Sequence, residues 1–174
     1  MAEIAQRESL GREELESLVA LALDEARKLG VDQAEVAASQ DTGLSTTARL
    51  GDVENLEFTN DRGLGLTVYK NSCKGNASTS DISPAAIREA VAKACSFAKL
   101  TAEDPHSGLA DAEKMATEIK GLDLDQPWDI DADRAIALAI ESESAAMTFD
   151  KRISNSEGAT VGTNRGTRAY GNTH

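Results

Sequence analysis

Between Ala34 and Ser80 apolar residues recur at every second position, in short runs broken at intervals of roughly ten residues, and that pattern restricts the fold more than any other feature. Glu35-Val36-Ala37, Leu44 to Leu50, Val53 to Thr59, Leu64 to Lys70 and Cys73 to Thr79 read as strands. Gly43, Gly51-Asp52, Asn60-Asp61 and Asn71 read as the turns between them. The pattern predicts an antiparallel β-meander of about five strands, and such a sheet needs other elements to cover its apolar face.

The covering elements flank it. From Ser9 to Gly30, Leu15, Leu18, Val19, Ala22, Ala26 and Leu29 recur at steps of three and four, the period of one helical face. Glu13, Glu14 and Glu16 sit at the end where the helix dipole favours acids, Arg27 and Lys28 where it favours bases, and Gly30 supplies the stop. Ser83-Pro84 opens a second helix, with Ile87, Val91, Cys95 and Ala98 as its inward stripe. Asp131 or Asp133 caps a third that runs to about Phe149, with Ile136, Ile140 and Met147 facing inward. Between the second and third helices, 101–128 holds Asp-Pro, Ser-Gly and Lys-Gly breakers and reads as an irregular excursion over the surface. Ile153 to Val161 and Thr167 to Gly171 then form a strand pair. The expected architecture is α+β: the meander packed with two to three amphipathic helices, plus a C-terminal strand pair. A strand reaching His174 without a closing turn would leave an open edge, so the expectation is a single domain, 1–174, of a longer protein.

Charge and cysteine usage narrow the partners. A formal net charge of −12 repels phosphate backbones and anionic lipid, which disfavours direct nucleic-acid and membrane-surface binding. Only Cys73 and Cys95 are present, with no CxxC pair, and no export signal or long apolar run occurs, so a reducing cytoplasm is the expected location.

No motif completes a chemical site. Gly63-Leu64-Gly65 resembles the start of a phosphate loop, but Val68 stands where the third glycine of GxGxxG belongs and a strand follows. Asp129, Asp131 and Asp133 have the alternate spacing of a calcium loop, and Asp123 and Asp125 precede them. Arg134, however, replaces the required glycine, and Ile140 the closing glutamate. His106 and His174 belong to no HExxH, HExxxH or Cys/His cluster, and zinc needs three or four converging ligands. The thiols read as packed and inert, although a fold that brought His106 to Cys95 would change that. Asn76-Ala77-Ser78 matches a glycosylation acceptor by accident. The polar run Asn76 to Ser80 reads instead as a sheet edge able to pair with an extended peptide through its backbone. The expectation is therefore no catalytic, metal or cofactor residue in this chain, and substrate contacts that the sequence does not assign.

Several strings together carry a resemblance. They are Ala34-Glu35-Val36, Gly51-Asp52-Val53-Glu54-Asn55-Leu56-Glu57-Phe58, Gly63-Leu64-Gly65-Leu66-Thr67-Val68-Tyr69 and Lys151-Arg152-Ile153-Ser154-Asn155-Ser156-Glu157-Gly158. With Gly75-Asn76-Ala77-Ser78, Asp81-Ile82-Ser83-Pro84 and Tyr170-Gly171-Asn172-Thr173-His174, their order and spacing resemble the N-terminal part of the TldD/PmbA family, on its PmbA (TldE) side.

The resemblance implies a cytosolic protease system. In it a TldD-like subunit carries zinc on a HExxxH helix with a downstream cysteine, and a PmbA-like subunit shares the fold without the metal motif. It implies that the N-terminal domains help wall a chamber that admits unfolded small proteins or peptides, and that the family is linked to peptide-antibiotic maturation and to gyrase-directed toxins. The expected role of this chain is substrate admission and docking to a TldD-like subunit, with self-association as a further partner expectation. No zinc ligand of the family falls on a residue of this chain, because the matching region lies beyond His174; either the parent is a PmbA-type partner without the ligands, which the strings favour, or the ligands follow further along the parent chain. The rival is a non-proteolytic module that modulates a partner such as DNA gyrase or a gyrase-directed toxin system.

Overall fold

The computed structural model describes residues 10–116, 118 and 121–174. Along the chain come α1 (Arg12–Lys28), β1 (Gln33–Arg49), β2 (Asp52–Lys70), β3 (Cys73–Thr79), α2 (Pro84–Ala98), a short 3-10 turn (Ala112–Lys114), α3 (Ala132–Phe149) and β4 (Ala159–Asn172). The strands form one antiparallel sheet in the order β3-β2-β1-β4. The α+β class is as the sequence predicts, but the strands are fewer and longer. Two of the four turns are real. Leu50 and Gly51 have φ of 52° and 83°, and Asn71 and Ser72 of 50° and 59°, the paired positive values that a tight hairpin needs. At Gly43 and Asn60-Asp61 the backbone stays extended, so two pairs of expected strands fuse into β1 and β2. Gly43 is there for proximity and not for turning: a Cβ on it would stand 2.7 Å from the Thr163 carbonyl oxygen. The expected C-terminal pair is likewise one strand, β4, preceded by irregular chain.

The chain divides into two compact units. One comprises, among described residues, 10–40, 61–116, 118, 121 and 167–174. Its core joins Leu15, Val19, Ala22, Leu23 and Ala26 of α1 to Ala34, Val36 and Ala38 of β1, to Leu64, Leu66 and Val68 of β2, and to Ile87, Ala90, Val91, Ala94 and Ala98 of α2. Period two in the strands and period 3.6 in the helices give one apolar face each, and these faces meet. Ser9, where the sequence pattern starts α1, lies outside the described residues. The helix begins after Gly11, whose N–H donates to Glu14 Oε2 at 2.7 Å, and stops at Gly30 with φ of 70°. Ser83 caps α2 as expected, accepting from the Ala86 N–H at 3.3 Å. The helix lies so close to β3 that a Cβ on Gly75 would fall on the Ala94 carbonyl oxygen and the Ala98 nitrogen. The irregular segment tracks the sheet in this unit: the Asp104 N–H donates to the Ser72 carbonyl and the Leu109 N–H to Gln33 Oε1, both at 2.9 Å.

The other unit comprises 41–60 and 122–166. Its buried residues are few and mostly small: Leu44, Thr46 and Ala48 of β1, and Ala135, Ala139 and Glu143 of α3. Asp131, not Asp133, caps α3, accepting from the Arg134 N–H at 2.7 Å. Ile136, Ile140 and Met147, expected inward, are only half-buried, because the helix turns its alanine row inward instead. Among the described residues no helix is long and apolar enough to cross a membrane.

Candidate interaction surface

The polar run Asn76 to Ser80 falls on β3, an outer strand of the sheet, with Ser80 just past its end. Its inner side pairs with β2 in the register Leu64↔Thr79, Leu66↔Ala77 and Val68↔Gly75. The Tyr69 carbonyl accepts from the Asp32 N–H just before β1, so in the stretch 64–70 odd positions of β2 address β1 and even ones address β3. The residues opposite the even positions, Gly75, Ala77 and Thr79, therefore turn inward. Lys74, Asn76 and Ser78 turn outward, in keeping with the Thr101 hydroxyl that donates to the Lys74 carbonyl at 2.9 Å. Past that contact Asn76 and Ser78 are exposed, and no further strand lies beyond β3 among the described residues. A short backbone edge is thus open where the sequence placed one.

A second constellation went unnoticed in the sequence. Glu143 is 3 % exposed, and its carboxylate accepts from the N–H groups of Leu50 at 2.9 Å and Gly51 at 3.0 Å, clamping α3 to the β1–β2 turn. Those two backbone hydrogen bonds hold its pKa below the usual carboxylate range, with help from the Ser156 side chain and the Arg49 charge and against the effect of burial. The only clue in the sequence is spacing: Glu143 continues the row Ala135 and Ala139 at steps of four. A third cluster crosses β2, β1 and β4, where Glu35 accepts from Tyr69 Oη at 3.1 Å and from Tyr170 Oη at 3.0 Å. Burial, followed by the Glu35 hydrogen bond and charge, pushes the Tyr69 pKa up to about 12.

The other sequence candidates are accounted for locally. Gly63-Leu64-Gly65 lies inside β2, with no helix N-terminus after it. In the acidic run, Asp131 caps α3 and Asp125 pairs with Arg165 through oxygens at 2.6 and 2.9 Å. His106 donates its backbone N–H to Asp104 Oδ1, while the His174 Nε2 lies 3.0 Å from the Ala110 carbonyl. Cys73 and Cys95 are free and half-buried. Cys95 borders a cavity of about 240 Å³ near Lys70 and Lys99, and burial raises its thiol pKa. Among the described residues no group of three or more His, Cys, Asp or Glu side chains is placed to hold a metal.

Comparison with known proteins agrees with this architecture. Residues 34–98 match the model of PmbA/TldA metallopeptidase domain 1, and 125–174 that of the PmbA/TldA metallopeptidase central domain. The metalloprotease PmbA homolog of Haemophilus influenzae is 47 % identical over 162 residues, 93 % of this chain and 36 % of that protein. Metalloprotease PmbA of Escherichia coli O157:H7 is 44 % identical over 163 residues, 94 % and 36 % of the two chains. The chain thus spans about a third of the length of these curated relatives. TldE of Thermococcus kodakarensis superposes with a TM-score of 0.68 at 18 % identity over 91 % of this chain and 34 % of its own. A candidate modulator of DNA gyrase from Bacteroides thetaiotaomicron does so with a TM-score of 0.71 at 22 % identity, over 95 % and 39 %.

Proposed function

The chain belongs to the PmbA/TldD metallopeptidase family, and from that premise we propose that it is the N-terminal, non-catalytic part of a PmbA-like subunit that works beside a TldD-like, zinc-bearing subunit to degrade or process small unfolded proteins and peptides. The observation that carries this reading is the 47 % identity to a PmbA homolog across nearly the whole chain. Its role in that assembly is substrate admission and subunit docking.

Two features support that role. Amide hydrolysis at neutral pH needs a metal-activated water or a comparably strong nucleophile. Three of the carboxylates are committed to other bonds: Asp131 to a helix cap, Asp125 to Arg165, and Glu143 to the Leu50-Gly51 turn. The outward edge at Asn76 and Ser78 offers an unfolded chain backbone hydrogen bonds that are indifferent to side-chain identity, which suits varied substrates.

The test is co-purification of the full-length subunit with a TldD-like protein, with zinc measured in each. The reading expects a stable complex whose metal follows the TldD-like partner. Stoichiometric zinc held by the 174-residue chain alone would contradict it.

A further inference from the structure

A second open edge lies in the unit of 41–60 and 122–166. The partner of β2 on one side, β3, reaches only from Leu64 to Lys70, so among the described residues the stretch Asp52–Asn60 has no strand on that side. The two-residue Leu50-Gly51 turn makes Arg49 and Asp52 the hydrogen-bonded pair that closes the β1–β2 hairpin, so in this stretch even positions address β1, the opposite phase to that at Tyr69. Val53, Asn55 and Glu57 therefore turn their backbone groups to the open side, where the Asn55 carbonyl also accepts from the Thr46 hydroxyl at 3.0 Å. The side chains are open too: Val53 is 43 %, Leu56 38 % and Phe58 58 % exposed. A long open strand with an apolar surface invites pairing with another chain.

We infer that Asp52–Asn60 is a docking edge for an extended segment of another polypeptide whose apolar side chains alternate with lysine or arginine. Charge selects this occupant. Asp52, Glu54 and Glu57 line the strand with no cation among them; Arg49 reaches Glu54 only at 3.7 Å, and Glu57 is in no ion pair among the described residues. A second copy would bring the same carboxylates to the edge, on a chain already at −12. The acids keep identical edges apart and leave the site open to a strand of opposite charge. In an antiparallel partner, apolar residues stand opposite Leu56 and Phe58, and cations opposite Glu54 and Glu57. This inference is independent of the protease reading, because it concerns a different edge and no chemistry.

The test uses the whole 174-residue chain and three fluorescent peptides. The first is acetyl-Thr-Val-Lys-Val-Thr-Lys-Thr-amide, the second has glutamate for both lysines, and the third is the first N-methylated at its first lysine and at its central threonine. The lysine peptide is expected to bind about tenfold more tightly than the glutamate peptide, and the gap to narrow in high salt. The N-methylated peptide should not bind, because its methylated residues lack the N–H groups that reach Glu57 and Asn55. Asn55→Pro removes an N–H that faces away from β1, so it should abolish binding while the circular dichroism stays that of the parent. The double variant Glu54→Lys, Glu57→Lys should reverse the preference between the two charged peptides, which keeps the test decisive even where the proline variant misfolds. Equal binding of both peptides, or no binding of the lysine peptide at millimolar concentration, overturns the inference. So does a dimer in sedimentation that Asn55→Pro dissolves, which assigns the edge to a second copy.

Discussion

At the scale of single residues, the most consequential side chain is one that the sequence disguises. Glu143 is one acid among many in a chain of net charge −12, and an acid in a helix ordinarily faces water. Burial became its lot because the turn it serves, Leu50-Gly51, presents two N–H groups that no strand partner takes up. Glu143→Gln keeps the shape and removes the charge, while Glu143→Ala leaves both N–H groups without their acceptor. Both variants should melt below the parent at pH 7, the alanine variant lower. The folded-state pKa of Glu143 is depressed, so its stabilisation is fully present above the unfolded value of about 4.3 and is lost as pH falls through the folded value. Melting curves at pH 7 and pH 3 should therefore show the gap between parent and glutamine variant closing in acid. A gap of equal size at both pH values contradicts the clamp. Gly75 is a second test at this scale. Its missing Cβ is what lets α2 approach β3, and Gly75→Ala should cost on the order of 1–3 kcal/mol in urea unfolding through the displacement it forces.

At the scale of elements, the helices were readable and the strand count was not. The α1 and α2 stripes follow the apolar periodicity closely, because a helix against a sheet has one rule to satisfy, burial of one face; the exceptions are Leu29, expected inward but exposed just past the end of α1, and Cys95, which is half-buried on α2. Strand ends depend on φ, and Gly or Asn signals a turn only where φ turns positive. Gly43 and Asn60 stay extended, which is why about five expected meander strands became three. In α3 the row Ala135, Ala139, Glu143 won over the larger Ile136 and Ile140, since small side chains permit close approach where a carboxylate must reach a turn. The α2 phase is testable. Val91 is fully buried, so Val91→Asp places an unpaired carboxylate in the core and should leave the chain unfolded or insoluble. Arg88 is exposed and lies 3.9 Å from Glu25, and Arg88→Ala should stay within about 0.5 kcal/mol of the parent. Solubility and thermal melts of the two variants, compared directly, check the phase. The reverse order would place the wrong face of α2 on the sheet.

At the scale of the whole molecule, apolar surface is divided unequally. The unit of 41–60 and 122–166 buries mostly small residues and exposes Phe58, Leu122, Leu124, Trp128 and Phe149, whereas the other unit has a continuous core. Alternation in a sequence tells which residues share a face but not whether anything covers that face, so this division was invisible before the structure. It suits a chain that acts by contact, and the open edges at Asn76 and Ser78 and at Asp52–Asn60 are the places where contact is available. The central claim is that chemistry resides in a TldD-like partner while this chain contributes binding. The most direct measurement is cleavage of a fluorogenic unstructured peptide by four samples, each with and without a zinc chelator: the 174-residue chain, the full-length subunit, the TldD-like subunit, and the two subunits mixed. The account predicts no turnover by the chain or by its full-length subunit alone, and chelator-sensitive turnover that rises when the two subunits are mixed. Chelator-sensitive turnover by the 174-residue chain alone would contradict the non-catalytic assignment, and no gain on mixing would contradict the partnership and leave the non-proteolytic interaction module in its place.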